Sequence, residues 1–228
     1  MFFLKGGSFD HIFGTDGLGR DIFTRILFGL RNSLLIAFLS VVFVFVIGII
    51  AGLLSGLSSK KIDNFIMTIT DIQLSLPILV VAVILLASTR PTIFTITFVL
   101  GICGWPVYAR STRATVLVEN KKDYIIVAKI MGAKPFWIME KYFVKTVISK
   151  LLPFIVLEIG LMIIWESLLS FIGIGIQPPD VSLGTIMSDG LNYLVNAWWI
   201  TTIPGFFIIM VTVSLNLMSR RLTLILTQ

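Results

Sequence analysis

Two carboxylates lie inside an apolar stretch of the sequence, where acidic side chains are rare. Glu158 and Glu166 fall within residues 151–176, and Trp165 directly precedes the second of them. On a helix, this spacing puts the two acids about 80° apart around the axis. A carboxylate in lipid costs a few kcal/mol or more, so it faces protein or water. Two interpretations are open: the acids line a path for a cationic group, or they bond to a neighbouring helix.

A basic segment, residues 110–150, offers a charged docking surface. It carries nine of the 18 Lys and Arg residues. Within it, an apolar helical pattern opens at Asp123 and stops at Gly132, a residue type that readily adopts the positive φ of a helix end. Pro135 suits the first turn of a following helix. The pattern predicts a helix, a tight turn and a second helix, which suit either anionic lipid or a protein partner.

Other candidate motifs carry weaker chemistry. Residues 13–21 are as rich in glycine as a phosphate-binding loop, but they lack Gly-Lys-Ser/Thr and a preceding strand. We expect a tight turn there, with Asp21 capping the next helix. His11 has no second His or Cys nearby, and Cys103 has no internal disulfide partner. The sequence contains no HExxH or GxSxG motif. No catalytic residue, cofactor or metal site is predicted.

The elements that position these residues are membrane helices. Hydrophobic residues make up 57% of the chain and charged residues 13%, against about 25% charged in soluble domains. Continuous apolar runs are typical of helices rather than of barrel strands. The prediction is therefore an all-α integral membrane protein with one domain, residues 1–228, and five spans. Its parts are a segment 1–32, three spans within 33–109 (33–57, 62–88 and 91–109), a loop 110–150, a span 151–176, a loop 177–197 and a span 198–219.

Lys and Arg set the orientation, because they favour the cytoplasmic side of a membrane. With loop 110–150 in the cytoplasm, that side collects 13 of the 18 basic residues and includes the C-terminus. Loop 177–197 has none and is predicted to be external. Because the basic residues flank apolar spans, nucleic-acid binding is not predicted. Asp71 is expected near the cytoplasmic interface, solvated or capping locally.

The predicted external segment 1–32 raises a difficulty. It holds four Lys and Arg residues that have to be exported with no helix before them. We therefore expect that one further span precedes this sequence in the native protein.

Five motifs in a fixed order extend across nearly the whole chain. They are residues 11–21, Trp105-Pro106 with Ala109-Arg110, Ala128 with Gly132-Ala133, residues 168–179, and Ser188-Asp189-Gly190. In this combination the sequence resembles the inner-membrane permease subunit of binding-protein-dependent ABC importers. The resemblance is to the second permease of the dipeptide, oligopeptide and nickel branch. The family's loop motif has Glu-Ala-Ala where this chain has Ile126, Val127 and Ala128. The family also usually has a further N-terminal span.

The resemblance implies a bacterial inner-membrane subunit that forms half of a pathway for peptides, nickel or metal complexes. Its implied partners are a homologous second permease, two cytoplasmic ATP-binding subunits, an extracytoplasmic solute-binding protein and membrane lipid. The basic loop becomes the ATPase dock, with Tyr124, Val127, Ala128, Gly132, Ala133 and Lys134 as its residues. Glu158, Trp165 and Glu166 become candidates for the translocation path. Gly48, Gly52 and Gly56 suit close helix packing, with the partner permease as one candidate for the opposing surface.

Two other functions are kept as alternatives. A membrane enzyme would need convergent polar groups that include a nucleophile, and the sequence does not group such residues. A secondary carrier independent of any ATPase often shows internal repeats and broken helices, and no repeat is visible. The sequence does not specify the solute.

Overall fold

The computed structural model describes residues 6–7 and 11–226, and within these ranges the regular secondary structure is helical, apart from one isolated bridge between Thr15 and Asp21. The helices, in chain order, are α1 (Ile22–Leu57), α2 (Lys60–Leu74), α3 (Ile78–Ala87), α4 (Ile93–Glu119), α5 (Asp123–Ile130), α6 (Pro135–Ile138), α7 (Lys145–Phe171), α8 (Leu183–Gly190) and α9 (Trp199–Leu226). A π-helical stretch, Met139–Val144, joins α6 to α7, so Pro135–Phe171 is one continuous helix. Lys5, one of the four basic residues counted in the predicted external segment 1–32, lies outside the described residues.

Among the described residues, four helices are long and apolar enough to cross a membrane, and the pair α2 and α3 makes a fifth span if it is counted as one. The all-α membrane prediction is confirmed. The helices nevertheless extend beyond the predicted spans, because hydropathy marks only the lipid-facing part of a helix. Helix α4 continues to Glu119, past residue 109, and the helix that ends at Phe171 already begins at Pro135.

The fourth span ends earlier than residue 176. Gly173 has φ +89°, and the N–H of Ile174 donates to the Leu169 carbonyl at 3.0 Å. This is a glycine-terminated helix end of the Schellman type. The helix therefore ends before Gln177-Pro178-Pro179.

The predicted span 62–88 is two helices bent by 87° at Pro77. Proline disfavours helical geometry at the residue before it, and here that is Leu76. Helix α2 is held against α4 by a two-bond pair from Arg113 to Asp63, at 2.6 Å each. Asp71, expected to be solvated or to cap locally, instead pairs with Arg110, and both side chains are exposed. That exposed pair contributes little to stability.

A proline inside α4 is matched by a side chain from α2. Pro106 has no N–H, so the Ile102 carbonyl loses its helical partner. The Gln73 amide Nε2 donates to that carbonyl at 2.5 Å, and the Trp105 indole donates to Gln73 Oε1 at 3.0 Å. The break between α2 and α3 is thereby fixed against the middle of α4.

The core of the protein is the contact between α1 and α4, and a glycine stripe on α1 makes it close. Gly48 lies against Tyr108, and Gly52 lies against Ala109 and Thr112. A Cβ atom on Gly52 would meet Thr112 Cβ and the Ala109 carbonyl closer than real Cβ atoms approach. The stripe therefore packs within this chain, and the partner permease is not its opposing surface.

A charge cluster ties the turn at residues 13–21 to α8. Asp21 caps α1, as predicted, by accepting from the Thr24 N–H at 2.7 Å. Asp16 accepts from Arg25 Nη1 at 2.7 Å and from Arg20 Nε at 2.6 Å. The other Arg25 amino group, Nη2, donates to Asp189 of α8 at 2.8 Å. Burial by itself would raise the pKa of Asp16, but hydrogen bonds from Arg20 and from the Leu18 N–H hold it below the ordinary 3.8.

The first prediction concerns the glycine stripe. Gly52→Ala should destabilise the protein by about 1–3 kcal/mol, because the added methyl overpacks the contact with Thr112. Gly160→Ala is the matched control, since its Cβ would meet nothing closer than 3.8 Å. Thermal unfolding in detergent measures both variants. An equal midpoint for both would contradict the close approach.

The second prediction concerns Asp16. Asp16→Asn should destabilise the protein by about 1–3 kcal/mol, because it removes the buried carboxylate from Arg25 and leaves the half-exposed Asp189 as the remaining acid beside it. Since the folded pKa is lowered, the stabilisation is present above pH 3.8 and is lost as pH falls through the lower folded value. Unfolding midpoints measured against pH for the wild type and Asp16→Asn test this. Asp180→Asn, at an exposed position, should follow the wild type, and parallel curves for all three proteins would contradict the cluster's role.

Candidate functional site

The predicted helix, tight turn and second helix are present at residues 123–135, which we call the docking turn. Helix α5 ends at Ile130, and Gly132 has φ +82°. The Ala133 N–H donates to the Ala128 carbonyl at 3.0 Å, and the Gly132 N–H donates to the Lys129 carbonyl at 3.0 Å. Pro135 then begins α6. Ala128, Gly132 and Ala133, which the sequence singled out, thus form the hydrogen-bonded frame of the turn.

All six predicted docking residues line one concave surface, with a volume of about 780 Å³. These residues are Tyr124, Val127, Ala128, Gly132, Ala133 and Lys134. Nearby apolar side chains are unusually open, with Met131 82% exposed and Ile130 80% exposed. A Cβ atom on Gly132 would meet nothing within 4 Å. The glycine is therefore needed for its backbone angle and not for space.

Two aromatic residues complete this surface and were not predicted. Tyr142 lies between Tyr124 and Trp137, with ring centroids 5.4 and 5.7 Å away. Lys141 Nζ is 4.4 Å from the Trp137 ring centroid, within cation–π range. Tyr142 falls in the π-helical stretch, where the helical period changes. A regular helical period therefore does not predict that Tyr142 faces the docking surface. The sequence indicates it only by placing Tyr142 near the glycine turn.

Lys129 in the docking turn and Lys122, which directly precedes it, are engaged by neighbouring groups. Lys129 Nζ donates to Asn120 Oδ1 at 2.6 Å, and Lys122 lies 2.9 Å from Glu119. Helix binding to anionic lipid uses a convex apolar face with free basic residues around it. The docking turn instead presents a concave apolar and aromatic surface. Its shape and chemistry suit a protein partner better than a lipid surface.

A second site lies within the membrane-spanning helices, and we call it the Glu158 cavity. Its volume is about 500 Å³, and its walls come from the break between α2 and α3, from α4 and from α7. Tyr108 Oη donates to Glu158 Oε2 at 2.5 Å. Trp165 lies in the same wall about two turns further along α7. The cavity therefore groups two of the three residues predicted for a translocation path.

Glu166, the third predicted path residue, does not line this cavity. It is fully buried and accepts hydrogen bonds at 2.7 Å from Ser33 and from Ser170. Ser33 belongs to α1, so the carboxylate joins α1 to α7. This arrangement fits the alternative interpretation of an acid that bonds to a neighbouring helix.

Within residues 6–7 and 11–226, no group of three or more His, Cys, Asp and Glu side chains is arranged to hold a metal ion. His11 Nδ1 lies 3.1 Å from Asp21 Oδ1, beside the cap of α1. Cys103 is buried in α4. In this part of the chain, the two candidate sites are the docking turn and the Glu158 cavity, which holds one carboxylate.

Comparison with known proteins places this geometry in a family. The model for the binding-protein-dependent transport system inner membrane component matches residues 45–228. The di/tripeptide transport system permease protein DppC of Pseudomonas aeruginosa is 35% identical over 94% of this chain. The dipeptide permease DppC of Escherichia coli K12 is 39% identical over 94% of the chain, and that of Bacillus subtilis is 36% identical over 92%. The chain spans 71%, 71% and 66% of the lengths of these three relatives, respectively.

Solved structures share the fold at low identity. The inward-facing MetNI methionine ABC transporter matches with a TM-score of 0.73 at 19% identity, covering 90% of this chain and 98% of the solved one. An amino acid ABC transporter matches with a TM-score of 0.63 at 19% identity, covering 87% and 94%.

Proposed function

Because the chain belongs to the family of binding-protein-dependent transport system inner membrane components, we propose that it forms half of a path that imports short peptides. It is a permease subunit of the dipeptide and oligopeptide branch of ABC importers, not an enzyme, and ATP hydrolysis lies with separate subunits. The three relatives named above are dipeptide or tripeptide permeases by name. Nickel and metal complexes, the other expected solutes, have no counterpart among them.

The observation that carries the proposal is the docking turn. Its concave surface is apolar and aromatic, and its exposed residues are anchored to a turn of fixed geometry. A permease of this family works with a partner permease, ATP-binding subunits and a substrate-binding protein. In our proposal, an ATP-binding subunit docks on Tyr124, Val127, Ala128, Gly132, Ala133 and Lys134, and Trp137 and Tyr142 complete the contact.

The connection between the docking turn and the Glu158 cavity supports this assignment. Pro135–Phe171 is a continuous helix that begins at the turn and carries both Glu158 and Trp165. On the other side, a short link joins α5 to α4, which supplies Tyr108. A push on the turn therefore reaches two walls of the cavity through helices. In the proposed cycle, ATP binding by the partner favours one arrangement of these walls and hydrolysis favours the other.

The proposed path is lined by Glu158 and Trp165, with Glu166 as a structural group. The proposed orientation puts the docking turn and the C-terminus in the cytoplasm of a multi-pass inner-membrane protein, and loop 177–197 outside. It rests on the basic residues, 13 of 18 of which fall on the cytoplasmic side. The proposed partner set is one homologous permease, two ATP-binding subunits and an extracytoplasmic solute-binding protein. Neither a secondary carrier nor a membrane enzyme is favoured by any specific contact in the described residues.

The docking proposal predicts a cross-link. Ala133→Cys, made in a Cys103→Ala background, should cross-link to the ATP-binding subunit in the assembled importer, because Ala133 lines the concave surface. Asp180→Cys, in the loop predicted to be external, should not. Gly132→Ala should reduce the cross-link and solute-stimulated ATP hydrolysis, since forcing φ +82° on alanine costs about 1–2 kcal/mol.

Gly173→Ala is the matched control for that strain. Gly173 also has a positive φ and free space for a Cβ, so the two variants should lose similar stability. Only Gly132→Ala should lose the cross-link. If Ala133→Cys does not react with the subunit in an intact complex, the docking surface is misassigned.

The orientation predicts a labelling pattern. In intact cells, cysteines placed at Lys121 and at Lys145 should be protected from a membrane-impermeant thiol reagent, because both lie on the proposed cytoplasmic side. A cysteine placed at Asp180 should react. Permeabilised cells control for buried thiols, since all three sites should then react. External labelling at Lys121 would reverse the topology.

A further inference from the structure

A carboxylate inside the membrane-spanning helices lacks a positive partner. Glu158 is only 8% exposed. Every salt bridge among the described residues involves a different acid, so no Lys, Arg or His there neutralises Glu158. A charge in this setting is costly and is usually retained for a function. A positively charged group from outside the described residues would therefore stabilise the Glu158 carboxylate.

The two oxygens of Glu158 are not equivalent. Oε2 accepts the Tyr108 hydroxyl proton at 2.5 Å. Oε1 accepts no hydrogen bond from the described residues. It is also not fully enclosed by protein atoms. Since Glu158 lines the cavity, Oε1 is the acceptor that remains open to it. Glu166 differs, because serine hydroxyls occupy both of its oxygens.

The side-chain amide of Gln73, another polar group in the cavity wall, is already occupied. Gln73 Nε2 donates to the carbonyl freed by Pro106, and Gln73 Oε1 accepts from the Trp105 indole. Most of the remaining wall is aliphatic, including Leu76, Ile78 and Val81. One anionic acceptor therefore faces a mainly apolar space of about 500 Å³. This arrangement suits the cationic end of a small ligand.

We propose that the Glu158 cavity binds the primary ammonium group of the transported solute. This inference rests on the proposed import function and adds a recognition element within the membrane. A primary ammonium has three donors, one of which meets Oε1 in a charge-assisted hydrogen bond. Tyr108 holds the carboxylate in place from the other side. Trp165, an aromatic residue of the type that attracts cations, lies in the same wall. A solute whose amine is acylated has no positive charge to offer and is not retained here.

The first test uses the assembled importer in membrane vesicles, treated with the apolar carboxyl reagent dicyclohexylcarbodiimide and read by peptide mass spectrometry. Glu158 should be modified because its cavity admits small molecules. Glu166 is the internal control and should stay unmodified because it is fully buried. Alanylalanine should protect Glu158 about tenfold at ten times its dissociation constant. N-acetyl-alanylalanine should not protect it.

Three results would overturn the assignment: no modification of Glu158, no protection by alanylalanine, or equal protection by the acetylated peptide. The second test is Glu158→Gln, which keeps the shape and the Tyr108 contact but removes the charge. Alanylalanine transport should fall about tenfold or more, while the Ala133→Cys cross-link to the ATP-binding subunit persists. Unchanged transport would rule out the ammonium site. Absence of the Ala133→Cys cross-link in the importer that keeps Glu158 would instead count against the docking proposal.

Discussion

One hydrogen bond organises the membrane part of this protein, the bond from Gln73 to the Ile102 carbonyl. In lipid, backbone polar groups must find partners inside the protein. Pro106 removes one such partner from α4, and Gln73 supplies a replacement from the end of α2. The same contact fixes the bend at Pro77, because Gln73 lies just before it. A proline in one helix and a break in another thus form a single unit, and the Glu158 cavity is bounded by both.

The two sites differ in how firmly they are held. Helices α1 and α4 meet along glycines that leave no room for a side chain, so this pair resists relative movement. The helix Pro135–Phe171 joins the docking turn to the cavity and contains a π-helical stretch near its start. Such stretches often occur at functional sites. Movement that begins at the docking turn is therefore expected to shift α7 against a stable α1–α4 pair.

Local features of the sequence predicted local structure well. Gly132 and Pro135 gave the docking turn, and Asp21 gave the cap of α1, because each acts through its own backbone or the next few residues. Contacts between distant segments were not accessible in this way. The surface opposite Gly52 is Thr112, and no local pattern identifies that pairing. The end of α7 at Gly173 was missed because apolar residues continue past the helix end and hydropathy does not register a change of φ.

The pair Glu158 and Glu166 shows where sequence reasoning reaches its limit. Both acids lie on one apolar helix, and sequence alone left each with two interpretations. Their environments separate them, since Ser33, 133 residues away in sequence from Glu166, satisfies one acid, while the other keeps an open oxygen. A buried acid with all its hydrogen bonds formed holds helices together and needs no ligand. For a buried acid with one oxygen open to a cavity, the desolvation penalty of the charge is not offset until a cation binds. In our proposal, the same residue type on one helix therefore joins two helices in one place and recognises the solute in the other.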